Sequence, residues 1–61
     1  MPRVVVSVLE GMTLEKKREL AKDVTELIVK KLNVPPEAVS VVIEERSREN
    51  VAHGGKLFAD S

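Results

Sequence analysis

The chain has sixty-one residues, ten of them basic and ten acidic, with one histidine and no cysteine. That excludes disulfides and thiolate metal sites, makes a histidine-built metal site unexpected, and leaves no basic footprint for nucleic acid. No run is long enough to span a bilayer and no signal peptide is visible, so a soluble cytoplasmic protein without membrane partners is expected.

A chain this short buries only about 60% of the surface its unfolded form exposes. At about 1.5 kcal/mol of ordering entropy per residue, burial and entropy nearly cancel. With no staples, stability must come from oligomerisation. One third of the residues are charged, and glutamine, tryptophan and tyrosine are absent, a composition that leans toward heat tolerance.

A β-strand pattern begins at once, from Pro2 to Leu9. Val4, Val6 and Val8 fall on one face, and Val5, Ser7 and Leu9 on the other. Both faces are largely apolar, which predicts a strand covered on both sides. Pro2 directly follows the initiator methionine. Trimming of Met1 would leave a rigid secondary amine at the mouth of the strand. An N-terminal amine sits closer to neutrality than lysine, and apolar surroundings lower its pKa further. Such an amine is a usable general base at pH 7. A retained Met1 would make the same nitrogen an amide.

Glu10-Gly11-Met12 ends the strand, and Thr13 reads as the N-cap of a helix over residues 14–32. Leu20, Ala21, Val24, Leu27, Ile28 and Leu32 recur at three- and four-residue spacing and form an apolar stripe. Lys16, Arg18, Glu19, Lys22, Glu26 and Lys30 make the solvated face, with Glu26 and Lys30 as an i,i+4 pair. Asn33 and Pro35-Pro36 stop the helix.

A second strand is predicted over residues 39–45, where Val39, Val41 and Ile43 alternate with Ser40, Val42 and Glu44. Strand, helical crossover and strand make a βαβ unit with parallel strands. In the tail, Gly54-Gly55 between short apolar pieces marks a hairpin. The predicted class is therefore α/β (α+β type): one βαβ unit with parallel strands plus a short C-terminal β-hairpin, in a single domain over residues 1–61, completed by oligomerisation. One helix covers one sheet face, and the other face and the sheet edges need partner subunits.

These features together resemble the 4-oxalocrotonate tautomerase family. Pro2 opens a valine-rich strand that Leu9-Glu10-Gly11 closes. Thr13 starts a helix carrying Glu15, Lys17 and Leu20, Pro35 follows it, and Glu49-Asn50 leads to Gly54-Gly55. The resemblance implies a small enzyme without metal or organic cofactor, usually a hexamer built as a trimer of dimers. Its trimmed proline is a general base that interconverts enol and keto forms of a small unsaturated 2-oxo or 2-hydroxy acid. Relatives use the same proline for hydration or dehalogenation. Three positions depart from the family pattern. Met12 and Ser40 stand where arginines hold the substrate carboxylate and polarise the carbonyl, and Val51 stands where an aromatic residue lines the pocket. Loss of arginine removes a charge-assisted contact of about 1.5–3 kcal/mol, which points away from a diacid substrate.

Strand length places Pro2 and Met12 of one chain at opposite ends, roughly 26 Å or more apart. Antiparallel pairing of two first strands would bring Leu9, Met12 and the helix start of one chain beside Pro2 of another. Ser40 starts the second strand at the Pro2 end. Arg46 and Arg48 leave it at the far end, facing a partner's Pro2, either as a substitute anion receptor or as solvated loop charges. His53 is a titratable group or an inert turn residue, and Met12 is a pocket wall. The alternative reading is a non-catalytic subunit that keeps the fold and pairs with a competent chain.

Overall fold

The computed structural model describes residues 1–60; the last position of the expected tail lies outside the described residues. Strand β1 spans Arg3–Leu9, helix α1 Leu14–Leu32 and strand β2 Ser40–Arg46. Strands β3, Ala52–His53, and β4, Lys56–Leu57, form a separate hairpin. Each boundary has a local cause. Thr13 adopts an extended conformation and its hydroxyl accepts from the Lys16 N–H at 3.2 Å, the expected N-cap. Asn33 ends the helix at φ 55°, ψ 51°, a left-handed cap that asparagine tolerates. Pro36 then opens a short 3-10 turn through Ala38.

β1 and β2 pair in parallel, with Arg3 opposite Ser40, Val5 opposite Val42, Ser7 opposite Glu44 and Leu9 opposite Arg46. One face, with Val4, Val6, Val8, Val41 and Ile43, is half-buried beneath the helix. The other carries Arg3, Val5, Ser7 and Leu9 beside Ser40, Val42, Glu44 and Arg46. The sequence predicted an apolar second face. With both strands in register it is mixed, because Ser7 meets Glu44 and Arg46 follows one pleat later.

Residues Lys17, Leu20, Val24 and Ile28 lie on one line of the helix and are half-buried. Leu27 and Leu32, expected in the same stripe, are exposed, as is Leu14. The apolar arc of α1 is wider than a two-stranded sheet can cover. The expected Glu26–Lys30 pair does not form, and Lys16 pairs with Glu19 at 3.5 Å instead.

Gly54 and Gly55 have φ of 60° and 82°. Two successive positive φ angles make the tight turn that matches hairpin twist, and glycine adopts them without penalty. Among the described residues none is fully buried, and the exposed surface is 4814 Å². A compact single chain of this size exposes about 3,900 Å². The radius of gyration is 14.6 Å, against about 10.5 Å for a compact domain of this length. The hairpin and its flanking turns pack chiefly on each other as an arm, and the molecule measures 43 × 24 × 13 Å along its principal axes.

Candidate active site

Pro2 is half-buried at the start of the sheet. Its carbonyl accepts from the Ser40 N–H at 3.0 Å, which extends the parallel ladder by one rung and fixes the residue against β2. Met1 beyond it is 94% exposed. Pro2 and Ser40 are therefore neighbours through the backbone, as parallel pairing predicted.

The remaining candidates gather at the other end of the sheet. Leu9 closes β1 opposite Arg46, about 23 Å from Pro2 at 3.3 Å per residue. The Glu10 N–H donates to the Arg46 carbonyl at 2.9 Å, and the Glu10 carboxylate accepts from the Arg48 N–H at 3.5 Å. The loop after β1 is thus tied to the chain leaving β2. Met12 is half-buried and lines a shallow cleft of about 410 Å³ with Lys16, Glu19, Leu20 and Asp23. Since Met12 follows β1, this cleft lies on the β1 side of the helix. Its wall is the Met12 thioether and the Leu20 side chain among charged residues.

The two arginines differ. The Arg46 guanidinium donates to the Glu44 carboxylate at 3.1 Å, on the uncovered sheet face. Arg48 begins a 3-10 turn over Arg48–Asn50, capped by the Ser47 hydroxyl, which accepts from the Glu49 N–H at 3.2 Å. Among the described residues the Arg48 side chain makes no ion pair. One guanidinium is therefore committed and the other is available at the same end of the sheet.

One contact here escaped sequence reasoning. The Lys17 ammonium donates to the Glu45 carboxylate, joining the first turns of α1 to the end of β2. Both side chains are about one-third exposed. Their signal was present: Lys17 lies one turn before Leu20 and Ala21 on the sheet-facing line, and Glu45 follows Val41 and Ile43 on the helix-facing pleat.

Val51 and His53 sit on the arm. Val51 is half-buried, and its carbonyl accepts from the Phe58 N–H at 2.9 Å. His53 is exposed and its ring lies 5.0 Å from that of Phe58, tilted by 50°. Among the described residues no hydrogen bond, ion pair or shared cleft joins these two residues to Pro2 or Met12. Within the described residues no group of three or more His, Cys, Asp or Glu side chains is placed to hold a metal ion. Among them, too, no helix is long and apolar enough to cross a membrane.

The family model for tautomerases, described as tautomerase enzyme, matches residues 2–61. A probable tautomerase of Bacillus cereus is 43% identical over 60 residues, spanning 98% of each chain. A 2-hydroxymuconate tautomerase of Bacillus subtilis is 40% identical over 60 residues, spanning 98% of this chain and 97% of that one. Among solved structures, a 4-oxalocrotonate tautomerase homologue superposes with a TM-score of 0.95 at 43% identity, covering 100% of this chain and 97% of the other. A heterohexamer 4-oxalocrotonate tautomerase from Chloroflexus aurantiacus gives 0.90 at 28% identity, covering 98% and 97%. The shared fold and the match beginning at Pro2 establish that this chain belongs to the tautomerase family.

Proposed function

We propose that the chain is a cofactor-independent tautomerase in which Pro2, after removal of Met1, is the general base. The amine takes the proton of an enol hydroxyl and returns it to carbon, giving the ketone. No oxidant or metal is needed, because the two forms differ only in where one proton and one double bond lie. The observation that carries this reading is the placement of Pro2. It is half-buried and held by Ser40 at the mouth of β1, with an exposed methionine before it.

The site would be shared between chains. β1 carries an arginine only at its first position, so its free edge is an unprotected strand. β2 ends in Glu44, Glu45 and Arg46, charges that blunt its edge. Antiparallel pairing of two β1 edges would set Pro2 of one copy beside Leu9, Met12 and Arg48 of the other. The exposed surface exceeds the compact-monomer expectation by roughly 900 Å², about one partner's share of a standard interface. The chain would assemble as an obligate oligomer, a hexamer made as a trimer of dimers.

With Met12 and Ser40 in place of arginines, Arg48, whose side chain makes no ion pair among the described residues, would receive the single carboxylate of a small enol acid. Met12, Leu9 and Val51 would line the apolar remainder. Retaining Met1, followed by intact mass and assay on simple monoacid enols, tests the base. Loss of turnover supports it, and unchanged turnover removes it.

One observation favours a second reading. The missing arginines fit a subunit that keeps the fold without the chemistry, and a structural relative is described as a heterohexamer. Co-purification with a second, arginine-bearing tautomerase chain and inactivity alone would favour it. Hydration or dehalogenation by the same proline would appear as water addition or halide release on the corresponding unsaturated acids.

A further inference from the structure

We propose that Arg3 is the oxyanion donor of the site: its guanidinium holds the substrate oxygen that carries negative charge while Pro2 moves the proton. This rests on the proline-base reading above and adds the group that stabilises the charge.

Arg3 follows Pro2 and opens β1, where the register sets it opposite Ser40. Ladder partners stand on the same face of a sheet, here the one the helix leaves uncovered. Both residues are exposed. Ser40 is small, so its side chain does not crowd the longer one across the ladder. Val5 and Val42 come next on this face and carry no charge. The first carboxylate on it is Glu44, four residues along β2, about 13 Å away at 3.3 Å per residue. Glu44 already accepts from Arg46 at 3.1 Å. Glu37, in the turn before β2, makes no ion pair with Arg3, and neither does any other carboxylate among the described residues. A permanently charged, planar fork of five donors therefore stands next to the proline with no ionic partner among those residues.

The backbone holds the two residues together. The Ser40 N–H donates to the Pro2 carbonyl at 3.0 Å, so Pro2 and Arg3 are consecutive members of one ladder. Once Met1 is gone, the amine lies at the end of the strand, where a bound acid is open to the Arg3 face. The reaction needs a donor there. As the enol O–H breaks and the proline N–H forms, negative charge is left on the oxygen. It disperses when the proton passes from nitrogen to carbon and the C–H bond forms. A guanidinium N–H donating to that oxygen strengthens as the charge develops, so it lowers the barrier more than it tightens ground-state binding. Arg48 of another copy would remain the carboxylate receptor. The two arginines would then divide one enol acid, Arg48 taking the carboxylate and Arg3 the enol oxygen.

In the trimmed protein, Arg3→Ala should lower kcat for ketonisation of a simple monoacid enol by about 100-fold or more, the cost of losing one oxyanion donor, while KM moves far less. The double variant Arg3→Ala/Ser40→Arg returns a guanidinium to the same face from the facing strand. It should regain most of the loss, since Ser40 holds Pro2 through its backbone N–H alone. Oxalate, a planar mimic of a 2-oxo acid enolate, should bind the wild type in calorimetry and bind Arg3→Ala about tenfold or more weakly. Wild-type kcat in Arg3→Ala overturns the assignment. So does a loss that Ser40→Arg fails to restore, or equal oxalate affinity, the behaviour of a merely structural residue. Unchanged turnover in a Met1-retaining protein removes the proline reading instead. The oxalate comparison still decides whether Arg3 holds the anion, so the two failures are distinguishable.

Discussion

At the scale of single residues, the account rests on which atoms are free. Pro2 becomes an amine only without Met1, so a form that retains Met1 should lose turnover while keeping its fold; intact mass beside an enol-acid assay reads both. Arg48 has no ionic partner among the described residues, whereas Arg46 is held by Glu44. Arg48→Ala should therefore lower kcat/KM for a carboxylate substrate by about 10- to 150-fold, the value of a charge-assisted contact. Arg46→Ala should leave kcat/KM unchanged. Equal effects of the two would contradict this assignment. Sequence alone could nominate both arginines but not choose between them. Strand spacing puts Glu44 and Arg46 on one face, yet whether their side chains meet depends on rotamers that no periodicity encodes. The placement of Pro2 at the strand's mouth was legible, because the valine-rich strand pattern begins directly after it. The surroundings of Val51 and His53 were not, because they lie on an arm whose turns and hairpin pack chiefly on each other.

At the scale of elements, most boundaries follow from local chemistry. Thr13 caps α1, Asn33 ends it, and Gly54-Gly55 turns the hairpin, each as the residue type predicts. Thr13→Ala should cost about 1 kcal/mol, read as a lower denaturation midpoint at unchanged slope. Gly55→Ala would meet no atom within 4 Å, so its cost is purely that of φ at 82°, about 1–2 kcal/mol. A Gly55→Ala protein as stable as wild type would show that the hairpin contributes nothing to the measured transition. The helix–sheet packing was only partly readable. Leu27 and Leu32 belong to the apolar arc by spacing but stay exposed, since two strands are too narrow to cover the arc. The Lys17–Glu45 pair was missed for the complementary reason. Charged residues are read as solvated unless the sheet-facing line is traced through them.

At the scale of the whole molecule, one chain is an incomplete object: none of its described residues is fully buried, and its candidate site is split between two ends of a sheet. Composition already pointed to assembly, through short length and the absence of cysteine. The most direct test is complementation between two inactive variants. One retains Met1 and lacks the amine. The other, Met12→Asp, places a carboxylate beside the partner's Pro2. Each should be inactive alone. After subunit exchange, verified by native mass, random pairing leaves about a quarter of the sites with both native halves, and about that fraction of wild-type turnover should return. A mixture that exchanges fully and stays inactive would contradict a site built from two chains.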